Sequence, residues 1–293
     1  MSAAVTLQPV ATGGVFMEQG KASVPALGSA VSRAIHQLVD DDPKVFLDPV
    51  AVRLVESSAP GAVEAGMSRA RGAVAVIRSR FAEDELAIAA MQGIDQYVIL
   101  GAGLDTFAYR QPQYAGALHI YEVDHPATQA WKRECLAKAD IPLPSNLSWV
   151  PVDFECQTLP EQLAAAGFDG SRPAVFSWLG VMQYLTLTAV DETLGFVAGL
   201  PSSTKIVLSF LLSDDALADD ERERKRQIGQ AVAGLGEPWL TFFHPDELCT
   251  RLHDLGFAQT FLLTPEKANA RYLAGRTDGL QLRPLEQFIS ATV

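Results

Sequence analysis

The 293-residue sequence predicts one α/β domain: a largely parallel sheet covered by helices on both faces, preceded by a helical extension. Three observations predict it. From Tyr97 onward, apolar runs of strand length alternate with helical patterns, the rhythm of a sheet buried on both sides. The first run ends in a glycine turn, YVILGAGLDT over 97–106, where such sheets bring a ligand to the backbone. Before Tyr97 the periodicity is helical instead.

Residues 1–25 carry Gly, Pro, Ser and Thr without periodicity and read as a loose arm. Apolar residues recur at helical spacing from Leu27 to Val39 until Asp41-Asp42-Pro43 stops them. Asp48-Pro49 reads as an N-cap followed by proline at the first helical position. Met67 to Gln92 is one long helical pattern closed by Gly93. Together these form a helical cover over 26–93. Strands are expected at Tyr97–Leu100, Leu118–Val123, Leu147–Val152, Ala174–Leu179 and Lys205–Leu211. Helices are expected from Pro126 to about Lys138, at Leu159–Ala166 and at Thr188–Leu200. Residues 94–212 are thus the ligand-binding half of the sheet. Residues 213–243 interrupt the rhythm and read as an insertion. Its DDERERKR run (219–226) mixes both signs at helical spacing, as a solvated helix face does. Residues 244–293 open with a helix at Pro245–Leu255 and complete the sheet.

Composition narrows the function. A net charge of −12 argues against nucleic acid, whose phosphates need Lys and Arg. The longest apolar runs are of strand size, too short to span a bilayer. The first twenty residues lack both Lys and Arg and an apolar block, so a cytoplasmic protein is expected. Cys135, Cys156 and Cys249 are odd in number and widely spaced, which suggests buried thiols rather than disulfides or zinc.

The glycine turn carries the chemistry. Gly101-Ala102-Gly103 lets a ligand approach the backbone, because glycine has no Cβ. The second strand ends in YEVD, with Glu122 and Asp124 on one face about twenty residues beyond the glycines, where an acid binds ribose hydroxyls. NAD and S-adenosylmethionine both satisfy that pattern. A dinucleotide site wants a third glycine for the pyrophosphate, but Thr106 stands there and Asp105 adds a repelling charge. A sulfonium and an ammonium group suit Asp105, so the residues favour S-adenosylmethionine.

At this point GAGLDTFAYR followed by YEVDHPATQAWKR resembles the leucine carboxyl methyltransferase family, especially its bacterial small-molecule branch. The resemblance continues through FLDPVAVRL (46–54), IRSRFAEDEL (77–86), VDF (152–154), FSWLGVMQYLT (176–186) and RYLAGRTDGL (271–280). It implies a Rossmann-like class I methyltransferase: a seven-stranded, mostly parallel sheet with a reversed last strand, and S-adenosylmethionine as methyl donor. By resemblance, Arg78 holds the cofactor's carboxylate, Gly101 lies near its methionyl part, Asp124 takes the ribose, and Asp153 and Phe154 flank the adenine. Trp178 and Leu179, ending the fourth strand, belong to the same site. Family members often carry glutamate where Leu179 stands, so a small metabolite is expected as acceptor rather than a protein tail.

The insertion would then be a mobile lid carrying Trp239 and Phe242 towards the acceptor. Tyr184 and His244 are the candidate catalytic residues, His244 as general base for a hydroxyl acceptor. His36, His119 and His253 have no paired ligand spacing, and no metal is expected. An NAD-dependent oxidoreductase and a catalytically inactive cofactor-binding protein of the same fold stay open as alternatives. The oligomeric state is not legible.

Overall fold

A computed structural model describes residues 24–67, 73–153 and 157–293. Seven strands form one sheet: β1 (Gln96–Leu100), β2 (His119–Asp124), β3 (Leu147–Pro151), β4 (Val175–Trp178), β5 (Lys205–Leu211), β6 (Gln259–Leu263) and β7 (Glu286–Thr292). Their order is β3-β2-β1-β4-β5-β7-β6. The pairings among β1 to β5 are parallel, whereas β7 runs antiparallel to β5 and β6. β1 and β4 are buried along their whole length, which is why both read as unbroken apolar runs rather than alternating ones. The strand order reverses between β1 and β4, so a crevice opens beyond their carboxyl ends.

The described helices are α1 (Val24–Val39), α2 (Pro49–Ser58), α3 (Ala62–Met67), α4 (Val74–Met91), α5 (Phe107–Arg110), α6 (Pro126–Lys138), α7 (Leu159–Ala165), α8 (Leu187–Ala198), α9 (Asp219–Ala233), α10 (Pro245–Leu255) and α11 (Pro265–Tyr272). Some of the expected elements change. Val24 and Pro25 belong to α1 rather than to an arm; residues 1–23 lie outside the described residues. Of the helical pattern expected over 67–92, α4 accounts for Val74–Met91, and residues 68–72 lie outside the described residues. The insertion is itself ordered, with a 3₁₀ turn at Asp214–Ala216 followed by α9. β6 and β7 were not located in the sequence: β6 is an edge strand with three successive exposed residues, and its apolar run is only Phe261–Leu263. Among the described residues no helix is long and apolar enough to cross a membrane.

What holds the helical cover to the sheet is a buried carboxylate. The Asp48 side chain is wholly inaccessible and caps α2, its Oδ1 accepting the Ala51 N–H at 3.0 Å. Its Oδ2 accepts from Arg33 Nε of α1 at 2.8 Å and from the Thr106 hydroxyl at 2.7 Å. The same Arg33 donates to the Leu104 carbonyl at 2.6 Å. Arg110 lies 3.5 Å from Asp48 and also pairs with the part-buried Glu83 of α4. Cover helices and post-β1 turn are therefore one charged, hydrogen-bonded unit.

Removing one member of such a unit leaves buried charge unpaired. Asp48→Ala should therefore destabilise the fold by about 3–5 kcal/mol. Urea unfolding of the purified variant measures this; a loss of less than about 1 kcal/mol would show that the carboxylate does not hold the cover.

Candidate functional site

The crevice is a cavity of about 910 Å³. Its floor is the turn after β1. Gly101 and Gly103 have φ of +65° and +44°, in the left-handed region that side chains disfavour. A Cβ on Gly101 would come within 2.3 Å of Val181 Cγ2, and one on Gly103 within 3.0 Å of the Ala26 Cβ. The turn is thus squeezed between α1 and the β4–α8 loop. Ala102 donates its N–H to the Val123 carbonyl at 3.0 Å, fastening the turn to β2.

Asp124 closes β2 and lines the cavity. Its Oδ2 accepts the Gly103 N–H at 2.5 Å and its Oδ1 the His125 N–H at 2.7 Å. Burial raises its pKa, and these backbone donors, with Thr128, work against that rise. The two backbone donors fix the plane of the carboxylate at the cavity wall. Asp105 lines the cavity from the other end of the turn, and its Oδ1 accepts the Phe107 N–H at 2.8 Å. Asp153 lines the far wall, where its N–H donates to Gln157 at 3.0 Å. Phe154 lies outside the described residues.

Arg78 enters from α4. It donates to Glu286 Oε1 of β7 at 3.1 Å and to the Ser29 hydroxyl of α1 at 2.6 Å. A Cβ on Gly180 would lie 2.5 Å from Arg78 Nη1, so the bare backbone after β4 lets the guanidinium reach the cavity. Leu179 lines the cavity beside it and packs against the cluster around α4. Tyr184 lines the opposite wall, its hydroxyl held above the ordinary tyrosine pKa by burial.

Three expected site residues stand elsewhere. Glu122 shares a face of β2 with Asp124 but sits two residues, roughly 6–7 Å, further from the strand's end. There α6 covers it: its Oε2 accepts from Lys132 Nζ at 2.7 Å and from the Tyr109 hydroxyl at 3.2 Å, and it does not line the cavity. Trp178 is buried in the core on the sheet face carrying α7 and α8, because side chains alternate along β4. His244 also misses the cavity. A bridge between Leu212 and Phe243 fixes the chain beside β5, and the imidazole Nδ1 caps α10 by accepting the Asp246 N–H at 3.3 Å.

The aromatic residues of the insertion differ from expectation as well. Trp239 packs against Gly229 of α9 and meets Phe242 edge-on at 6.5 Å, while Lys225 Nζ stands 3.8 Å over the Phe242 ring. These contacts bind the insertion to its own helix. Glu237 and Leu240 reach the cavity instead. Neither carries a sequence signal, since a lone acid between Gly236 and Pro238 looks like an ordinary turn. Ser29 and Arg33 were also missed, because their place over the glycine turn depends on how α1 folds back.

The family model "Leucine carboxyl methyltransferase" matches residues 26–198. YktD of Bacillus subtilis (strain 168), whose name places it among S-adenosyl-L-methionine-dependent methyltransferases, is 32% identical over 220 residues, covering 73% of this chain and 70% of YktD. Rv3399 of Mycobacterium tuberculosis (strain ATCC 25618 / H37Rv), named likewise, is 36% identical over 157 residues, 53% of this chain and 44% of that protein. The chain thus spans less than half of this mycobacterial relative. A methyltransferase structure from Thermobifida fusca YX shares the fold, with a TM-score of 0.52 at 19% identity over 94% of this chain and 96% of that one.

Two outcomes test this geometry. Gly101→Ala should cost about 1–2 kcal/mol of stability from its φ alone. Its Cβ should also push Val181 into the cavity, weakening S-adenosylmethionine at least about tenfold by calorimetry; unchanged affinity would mean that the turn does not shape the site. The second concerns Glu122, whose pKa burial raises from 4.5 to about 7 against the pull of Lys132. An acid raised on folding stabilises the native state while protonated, and this contribution is lost as pH climbs from about 4.5 through about 7. Glu83, raised to about 7 by burial against Arg110, adds in the same direction. Glu122→Gln with Lys132→Met should therefore flatten the fall in urea midpoint between about pH 5 and about pH 7.5; an unaltered slope would assign the fall to other groups.

Proposed function

Since the chain belongs to the leucine carboxyl methyltransferase family and is an S-adenosylmethionine-dependent methyltransferase, we propose that it methylates an oxygen, hydroxyl or carboxylate, of a small metabolite. One observation carries the reading. A single cavity is lined both by the glycine turn and by Tyr184, Leu185, Thr186, Glu237 and Leu240. At about 910 Å³ it is large enough to take the cofactor and a compact acceptor together.

The residues fit the cofactor. Asp124, its plane set by the Gly103 and His125 N–H groups, would take the ribose hydroxyls. Arg78 has five donors, two of them engaged at Glu286 and Ser29 among the described residues, and would hold the cofactor's carboxylate. Asp105 suits the ammonium group, and Asp153 would border the adenine. When bound, S-adenosylmethionine supplies a sulfonium-activated methyl group. The chain's own work is to orient the acceptor and exclude water: close positioning can supply roughly 7–11 kcal/mol of such a barrier. Tyr184 would orient the acceptor by hydrogen bonding. The nicotinamide alternative is set aside: Asp105 and Thr106 oppose a pyrophosphate, and the matched family transfers methyl groups.

Asp124→Ala and Arg78→Ala should each lose about 1.5–3 kcal/mol of S-adenosylmethionine affinity by calorimetry, as charged hydrogen bonds do. Wild-type affinity in either variant would displace that residue from the site. The acceptor class is tested with methyl-labelled cofactor in a cell extract. Label is expected in a low-molecular-weight product as an ether or ester. Label in protein as a base-labile ester would favour a protein tail instead.

A further inference from the structure

Thr106 occupies the place where a dinucleotide turn carries a third glycine, which lets helix and strand approach closely. Here a side chain fills that place and is 1% exposed. Leu104 and Asp105, just before it, line the cavity, whereas Thr106 does not. Its hydroxyl is engaged twice: it donates to Asp48 Oδ2 at 2.7 Å and accepts from Arg110 Nε at 3.1 Å. Its carbonyl accepts the N–H groups of Tyr109 and Arg110, both at 3.0 Å, which starts α5. A β-branched side chain bonded on both sides keeps one direction, and the backbone at 106 is held with it. The bonds continue into the cover. Asp48 accepts from Arg33 Nε at 2.8 Å, and the same guanidinium donates to the Leu104 carbonyl at 2.6 Å. The circuit from Leu104 through Arg33 and Asp48 to Thr106 therefore closes around Asp105. Within it, the Asp105 N–H donates to the Ala102 carbonyl at 2.7 Å, and Oδ1 accepts the Phe107 N–H at 2.8 Å.

We propose that Thr106 is a positioning residue: with Arg33 and Asp48 it clamps the backbone on both sides of Asp105, and so sets the site's grip on the amino-acid end of the cofactor. The inference rests on the placement of the cofactor's ammonium group at Asp105 and is independent of the acceptor. A glycine at 106 would supply neither the donor to Asp48 nor the acceptor for Arg110. Without the hydroxyl, Leu104 stays tied to Arg33 but 106 is released, and Asp105 has more directions to lose when the ligand binds. The adenosine end of the cavity, at Asp124, lies on β2 and is held by its own bonds to Gly103 and His125. Loss of the clamp therefore acts on one end of the cofactor and spares the other.

The test compares two ligands by calorimetry. S-adenosylhomocysteine carries the amino-acid end, and 5′-methylthioadenosine has the same adenosine and sulfur without it. Thr106→Val keeps the shape and removes the hydroxyl. It should weaken S-adenosylhomocysteine about three- to tenfold, part of what a hydrogen bond to a charged group is worth, and leave 5′-methylthioadenosine within about twofold. Thr106→Ser, which keeps the hydroxyl, should restore the binding of both. Asp105→Asn should show the same selectivity, and adding Thr106→Val to it should weaken S-adenosylhomocysteine no further. Thermal midpoints identify a variant that merely unfolds. Should Thr106→Val do so, Thr106→Cys, with its weak S–H donor, must show the selective loss in smaller degree. Three results would overturn the clamp: wild-type affinities in the hydroxyl-free variant, an equal loss for both ligands, or effects that multiply in the double variant. If Asp105→Asn itself does not tell the two ligands apart, the placement of the ammonium group falls, and the clamp with it.

Discussion

A carboxylate with no access to water, Asp48, ties two parts of the chain that would otherwise have no fixed relation. It holds Arg33 of α1 on one side and the Thr106 hydroxyl on the other, while capping α2. Taking a carboxylate and a guanidinium out of water is costly, and the cost is offset only because every neighbour lands within hydrogen-bonding distance. A misplaced cover would leave buried charge unpaired, so the arrangement selects one docking of the helices on the sheet. The walls of the cavity that come from α1 inherit their position from it.

The turn below that cover is rigid for related reasons. Gly101 and Gly103 adopt left-handed backbone geometry with neighbours pressed on the space a Cβ would need. Asp124 then uses a turn N–H to orient its own carboxylate. The carboxylate that lines the cavity is thus held in one orientation by the backbone itself. Arg78 is held in turn by Glu286 and Ser29. The carboxylate that meets Arg78 comes from Glu286, delivered by the antiparallel β7.

The residues expected at the site and found elsewhere share a cause. Glu122 and Asp124 obey the same two-residue alternation, yet one strand step decides which of them reaches the crevice and which is sealed under α6 by Lys132. Trp178 and Leu179 are neighbours in sequence but turn to opposite sides, one into the core and one to the cavity. His244 was placed by its proximity to the insertion, whereas its ring is committed to a helix cap. Trp239 and Phe242 looked like acceptor contacts and instead fasten α9 to its own segment.

The sequence by itself determined the strand–helix rhythm, the glycine turn and the acid ending β2. All three are local: they depend on apolar periodicity, on the absence of a Cβ and on a spacing of a few residues. It likewise marked Asp48 as an N-cap and Asp105 as a charge unsuited to pyrophosphate, while Arg78 was singled out through the family resemblance. Only the tertiary structure decided that Asp48 also joins α1 to the post-β1 turn, that Ser29, Arg33 and Glu237 line the cavity, and that β7 brings Glu286 to Arg78. Those pairs lie far apart in the chain and carry no mutual pattern. What brings them together is the requirement that buried charges and backbone groups find partners once the cover closes on the sheet.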